Sequence, residues 1–277
     1  MDYLGLYRKR VYILLNLIRE HRNLIKQLTK REFELKYKGS FLGGIWSFIT
    51  PLVMLAVYTF IFSVVFKARW GIEQSDNKFE FAMIIFSGLI IYNIFNETVS
   101  KSTTIILSNV NYVKKVIFPL DILPLTTLLS SLINAFFNIV VLVVGIMVFV
   151  PDWNIMWIFI SLIYLLPISL FSLGFAYIVA SIGVYIRDLA YTVGVLLNIL
   201  FYVTPIFYPI SLVPKFMHPI MNLNPLTYVI EGYRKAVFAG EFPNWGSFLI
   251  FTLCGYIFML LSVWLFRKLK RGFADVI

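Results

Sequence analysis

Six stretches of this chain, at about 42–66, 81–100, 122–150, 154–182, 189–210 and 246–266, are each long and apolar enough to fill a bilayer. A helix crossing the hydrocarbon core needs roughly 20 mostly apolar residues, because lipid offers no partner to an exposed backbone N–H or C=O. Charge, proline or an asparagine-rich turn marks each boundary. Composition agrees: 60% of the 277 residues are hydrophobic and 14% are charged. A soluble domain carries about a quarter charged residues. The expected fold is an all-α integral membrane protein of six transmembrane helices, forming one domain over 1–277. No leader peptide is evident, since Arg8, Lys9, Arg10, Arg19 and Arg22 bracket the short apolar run of 11–18, and the first span would serve as the targeting signal.

The loops set the orientation. Eighteen of the 24 Lys and Arg fall on one side of these spans, in residues 1–41, in the loops after the second and fourth spans, and in the tail. Only six fall on the other side. The positive-inside rule then puts both termini in the cytoplasm. The net charge of +10 is mostly this bias and suits anionic headgroups. The basic residues flank spans and form no continuous patch, so nucleic acid is not an expected partner.

Two segments are not spans. In 12–36, Leu14, Leu17, Ile18, His21, Leu24, Ile25 and Leu28 recur at helical spacing, with Arg19, Glu20, Arg22, Lys26 and Lys30 elsewhere on the wheel. This reads as an amphipathic helix along the cytoplasmic membrane surface, either a plain anchor or a docking element. Residues 205–245 hold Pro205, Pro209, Pro214, Pro219, Pro225 and Pro243, separated by apolar pieces too short to cross alone. Such a segment is either a pair of re-entrant half-helices gating the outer side or a structured outer cap.

The chain lacks the parts of a reaction centre. One cysteine, Cys254, rules out an internal disulfide or a multi-cysteine metal site, and His21 and His218 have no ligand-like neighbours. No G-x-x-x-x-G-K-[ST] motif is present, so ATP would be hydrolysed elsewhere. No Asp-x-Asp pair is available for a metal-bound nucleotide sugar. The span centres carry no carboxylate relay of the kind ion-coupled carriers use, and Glu97, Lys101, Asp121 and Asp188 sit near span ends. No metal and no cofactor bound by this chain is expected.

What remains is a path. Trp46, Tyr58, Tyr92, Phe201 and Tyr202 are candidates to line it, since flat apolar faces stack on sugar rings while hydroxyls stay hydrated. Lipid contact or helix packing is the competing role for each. Lys114, Lys115 and Phe118-Pro119 form a short basic and apolar segment that could fit a cleft on another protein. Arg187-Asp188, adjacent and unable to pair well with each other, need other partners: an interfacial anchor or a cytoplasmic motor.

Beyond these patterns, the run Lys36-Tyr37-Lys38-Gly39-Ser40-Phe41-Leu42-Gly43, followed by Trp46, Pro51 and Phe62-Ser63-Val64-Val65-Phe66, resembles the opening segment of polysaccharide ABC exporter permeases. So do Arg187-Asp188, Pro205-Ile206-Phe207-Tyr208-Pro209, Asn224-Pro225-Leu226 with Arg234, and the tail Gly272-Phe273-Ala274-Asp275-Val276-Ile277. The matches follow one order along nearly the whole chain. The family exports O-antigen, capsular polysaccharide and teichoic acid.

The resemblance implies a homodimer with two separate ABC ATPase subunits, which bind the ATP and Mg, and a lipid-linked polysaccharide passing between the two copies in the inner membrane. It implies an interface helix over 12–36 and a coupling segment over 105–119, with Lys114, Lys115, Phe118, Arg187 and Asp188 in contact with the ATPase. The outer gate would fall over 205–245, on Pro205, Phe207, Tyr208, Asn224, Pro225 and Arg234. A permease for a small lipophilic drug or lipid keeps the same fold and partner. An enzyme on lipid-linked sugar would need paired carboxylates near one leaflet, and none is evident.

Overall fold

In the computed structural model, residues 19–61, 78–114, 118–150 and 153–277 are described, and every regular element among them is helical. Their order is α1 (Arg22–Leu35), α2 (Trp46–Tyr58), α3 (Lys78–Ser102), α4 (Val110–Val113), α5 (Leu123–Phe149), α6 (Ile155–Leu162), α7 (Leu165–Tyr185), α8 (Leu189–Val203), α9 (His218–Leu223), α10 (Pro225–Arg234), α11 (Trp245–Leu269) and α12 (Phe273–Val276). Five continuous helical stretches are long and apolar enough to cross a membrane: Gly43–Ile61, Phe79–Ser102, Leu120–Phe149, Ile155–Tyr185 and Trp245–Val276.

The second of these is the axis of the bundle. Its most apolar window is 78% buried, against 17% for the first span, which lies on the rim. Burial on all sides over residues 81–92 goes with an apolar surface all round that half of α3, with Ser87 and Gly88 as its small residues. Hydroxyls hold it to α5: Thr98 and Ser131 oxygens lie 2.7 Å apart, and Ser102 and Thr127 2.9 Å. With no hydrophobic drive between helices in lipid, close packing and such hydrogen bonds do the joining. Gly183 shows how close the packing is, because a Cβ there would collide with the carbonyl oxygen of Thr103. The largest helix–helix interface joins α7 to α11.

The expected fifth span over 189–210 is shorter in the structure. Its helix, α8, covers 15 residues, about 22 Å, and stops at Val203, less than a hydrocarbon core of about 30 Å. Pro205 is the cause. It lacks an N–H and forces the residue before it out of the helical region, and Thr204 is extended with ψ 136. Apolar character continues past this point, but the helix does not.

Two further readings meet the structure. The apolar stripe of α1 buries Ile25 and Leu28 and packs on α5, so this face is turned to protein rather than left free. Residues 12–18 lie outside the described residues, as do Lys115, Pro151, Asp152 and Phe62–Phe66. Over 205–245 the chain forms short 3-10 turns, α9, α10 and a π turn, not a single long helix.

Most of the bundle's cations gather at one end. There the Tyr185 hydroxyl donates to the Leu269 carbonyl at 2.8 Å, and Arg267 and Lys270 reach the buried Asp121 at 3.2 and 3.4 Å. Asp121 is held from the other side by its own backbone, whose carbonyl accepts from Tyr177 at 2.8 Å. The tail closes this end, with Phe273 fully buried against Phe266 and Tyr185.

Candidate functional site

Between α2, α3, α5 and α8 runs an open groove of about 370 Å³. Its polar wall comes from α3, which contributes Asn93, Asn96 and Glu97, and from Asn134 and Asn138 on α5, with Asn198 on α8 opposite. The spacings 93, 96, 97 and 134, 138 place each set on one helix face. Asn134 donates to Glu97 Oε2 at 2.7 Å, and Lys36 Nζ takes Glu97 Oε1 at 2.7 Å. The Tyr37 hydroxyl adds a 3.3 Å contact to Asn134 Oδ1, and Asn138 donates to the Asn134 carbonyl at 2.8 Å. Asn93 and Asn198 are exposed and bond to no described residue, so their amides are open to whatever fills the groove. A carboxylate and five amides among apolar helices are costly to leave facing lipid, which marks the groove as a water-filled or ligand-filled surface.

Four of the five aromatics expected on a path lie on this groove: Trp46, Tyr58, Tyr92 and Phe201. Tyr92 is buried and gives its hydroxyl to the Leu197 carbonyl at 2.6 Å, so it props α8 as well as lining the wall. Its ring lies 4.9 Å from that of Phe201, which meets Phe207 at 5.1 Å, and Phe207 reaches Tyr58 at 6.1 Å. Tyr202 is not on the groove. It is 70% exposed, one helical step of about 100° on from Phe201, and its ring still meets that of Phe201 at 5.3 Å. The asparagines were not among the expected site residues. Their signal was in the sequence, as amides repeating every three or four residues inside apolar runs.

The residues expected at an outer gate form a second site, with Pro205, Asn224 and Arg234 buried. At the start of α10, Asn224 Oδ1 accepts from Leu226 N at 3.0 Å, with Pro225 at the first helical position, where its missing N–H costs nothing. The same side chain donates to Thr204 Oγ1 at 2.8 Å, tying α10 to the end of α8. At the other end of α10, Arg234 is 5% exposed. It donates to the carbonyls of Pro205 and Ile206, each at 2.6 Å, and of Ile84 at 3.1 Å. A guanidinium supplies five donors in a fixed fork, and here they satisfy carbonyls that the break at Pro205 would leave unpaired. Gly88 makes room for it, since a Cβ there would stand 2.5 Å from Arg234 Nη2. Tyr208 turns back to cap α8, donating to the carbonyls of Tyr202 at 2.9 Å and Val203 at 3.0 Å.

The residues expected to meet a partner lie at the basic end. Lys114 is exposed, and Phe118 stacks on Tyr112 at 4.2 Å. Arg31 of α1 donates to the Tyr112 hydroxyl at 2.9 Å and to Asn109 Oδ1 at 2.8 Å, so α1 braces this loop. Arg187 and Asp188 are both exposed where α7 turns into α8, and the side chain of neither bonds to a described residue. Among the described residues, no group of three or more His, Cys, Asp or Glu could hold a metal ion.

Long apolar helices around an amide-lined groove define a multi-pass membrane transport protein. Residues 23–238 match the ABC-2 type transporter family, and the chain belongs to that family. Among curated relatives, it is 27% identical to the O-antigen export system permease protein RfbA of Myxococcus xanthus over 271 residues, which is 95% of this chain and 100% of that protein. It is 25% identical to the protein of the same name from Klebsiella pneumoniae, over 92% of this chain and 95% of the relative. The polysialic acid transport protein KpsM of Escherichia coli is 22% identical over 90% of this chain and 94% of its own length.

Proposed function

We propose that this chain is the membrane-spanning subunit of an ATP-driven exporter that moves a lipid-linked polysaccharide, of O-antigen, capsule or teichoic acid type, across the cytoplasmic membrane. It works as a homodimer with two ATPase subunits that bind the ATP and Mg, and its basic end, with both termini, faces the cytoplasm. The groove is the observation that carries this reading. Stripping a sugar hydroxyl of its hydrogen bonds costs several kcal/mol in apolar surroundings, and amides replace those bonds while the rings of Trp46 and Tyr58 cover the apolar sugar faces. The relatives named for O-antigen export and polysialic acid transport support the same class of cargo.

Force enters at the basic end. Lys114, Lys115, Phe118, Arg187 and Asp188 dock the ATPase, and the brace from Arg31 to Tyr112 and Asn109 passes its movement to α1 and α5. The segment 205–245 closes the outer side as a re-entrant gate whose prolines break the helix and whose carbonyls Arg234 satisfies.

The test is a permease deletion strain stained for surface polysaccharide. Polymer held inside the cell, released only when this chain and its ATPase are both restored, is the expected result. Normal surface polymer with lost efflux of a small amphiphile would overturn the cargo and leave the family standing.

A further inference from the structure

At the end of the bundle opposite the basic one, where α11 begins, lies an open cavity of about 530 Å³ that shares no lining residue with the groove. Pockets for small molecules run to roughly 300–1,000 Å³. Its walls come from α9, α10, the turn before α11 and the first turn of α11. Two rings stand in it. Tyr228 is half-buried and fixed by Phe251, with ring centroids 4.4 Å apart, and Phe242 is 68% exposed. Around the rings lie Asn222, Glu231 and Asn244. The Asn222 side chain is exposed and bonds to no described residue. Asn244 spends its oxygen on capping α11, accepting from Ser247 N at 3.3 Å, which leaves its amide hydrogens open. Glu231 spends one oxygen on Arg234 at 3.4 Å, which leaves the other.

We propose that this cavity is an exit subsite for one sugar unit of the exported chain, stacked on Tyr228 and Phe242 and hydrogen-bonded by Asn222, Glu231 and Asn244. This rests on the export reading above and adds a second holding point, on the side where the polymer emerges. Three features select an uncharged sugar. The charges at the cavity are already matched, Glu231 by Arg234 and Glu241 by Lys235 at 3.9 Å, so neither an anion nor a cation finds a spare counter-charge. The open groups mix donors with acceptors, which suits hydroxyls that both give and take a bond. The two rings supply the apolar faces on which a pyranose lies. A phospholipid headgroup fits less well, because its phosphate would meet a lining whose one cation, Lys235, already faces Glu241. A unit held here slows the chain from sliding back into the groove between strokes.

The test uses the full-length chain in phosphatidylcholine nanodiscs, with Cys254→Ser and the reporter Ser247→Cys on the cavity wall, reacted with a charged thiol reagent. The probe is the organism's own envelope polysaccharide, freed of lipid by mild acid. It should slow the reaction at Ser247→Cys and leave Phe216→Cys, 78% exposed and outside the cavity, unchanged. Asn222→Ala should raise the concentration needed for half protection roughly fivefold, the loss of one neutral hydrogen bond. Phe242→Ala should raise it at least as much. Both residues are exposed, so neither change unpacks the bundle. A reporter that reacts equally fast with and without polysaccharide, or protection that both variants leave intact, would overturn the subsite. Protection that follows added phosphatidylethanolamine and not polysaccharide would give the cavity to a headgroup and overturn it too. The export reading fails separately, in the surface staining of the deletion strain.

Discussion

The two polar sites of this bundle solve the same problem in opposite ways. Around Arg234, a buried charge is matched to three carbonyls from two places in the chain and to the Glu231 carboxylate. Along the groove, the Asn93 and Asn198 amides on α3 and α8 stand open, while Glu97, Asn134 and Asn138 are bonded. Closed satisfaction builds a joint, and open amides build a surface for something that brings its own hydrogen bonds. The difference separates stability from transport, and substitutions should separate them too.

The largest effect should come from Arg234→Met. It leaves the carbonyls of Pro205 and Ile206 buried without this donor and Glu231 without its cation, while Ile84 keeps the Ser87 hydroxyl, at a cost of about 3–5 kcal/mol. Thermal unfolding of the purified protein in detergent would show it, and Arg234→Lys should not restore it, since an ammonium cannot span three carbonyls in the same fork. Next is Gly88→Ala, whose methyl presses on the Arg234 guanidinium and should cost about 1–3 kcal/mol in the same assay. Asn224→Ala removes the cap of α10 and its tie to Thr204, for a loss of about 1–2 kcal/mol. Smallest in stability is the pair Asn93→Leu with Asn198→Leu, expected to stay within about 0.5 kcal/mol of wild type because neither amide has a partner to lose. Export should nonetheless fall sharply in that variant. Full export with an unchanged melt would erase the contrast between the two sites.

These two sites also show what a linear reading can reach. The long spans follow from hydropathy. Arg234 is expected at the outer gate only through the family resemblance. Its bonds do not read from the sequence, because its partners, at 84, 205 and 206, are brought to it only by the fold. The length of α8 was missed because apolar residues continue through 204–210, while the stop is a backbone effect of one proline. The asparagines were hidden by averaging: one amide in a run of Ile and Phe hardly lowers its hydropathy, yet five amides aligned on three helices make the groove. Arg187 and Asp188 were expected to have partners, and their side chains have none among the described residues.

The central claim is that the groove is a hydrated path for a polymer. Cysteine accessibility tests it directly, since Cys254 is the chain's one cysteine and can be replaced by serine. In that background, Asn93→Cys and Asn138→Cys should react readily with a charged thiol reagent, and more slowly in cells making the polymer than in cells that do not. Leu253→Cys, on the exposed apolar face of α11, should be unreactive in both. Groove cysteines as unreactive as Leu253→Cys, with or without polymer, would contradict the claim.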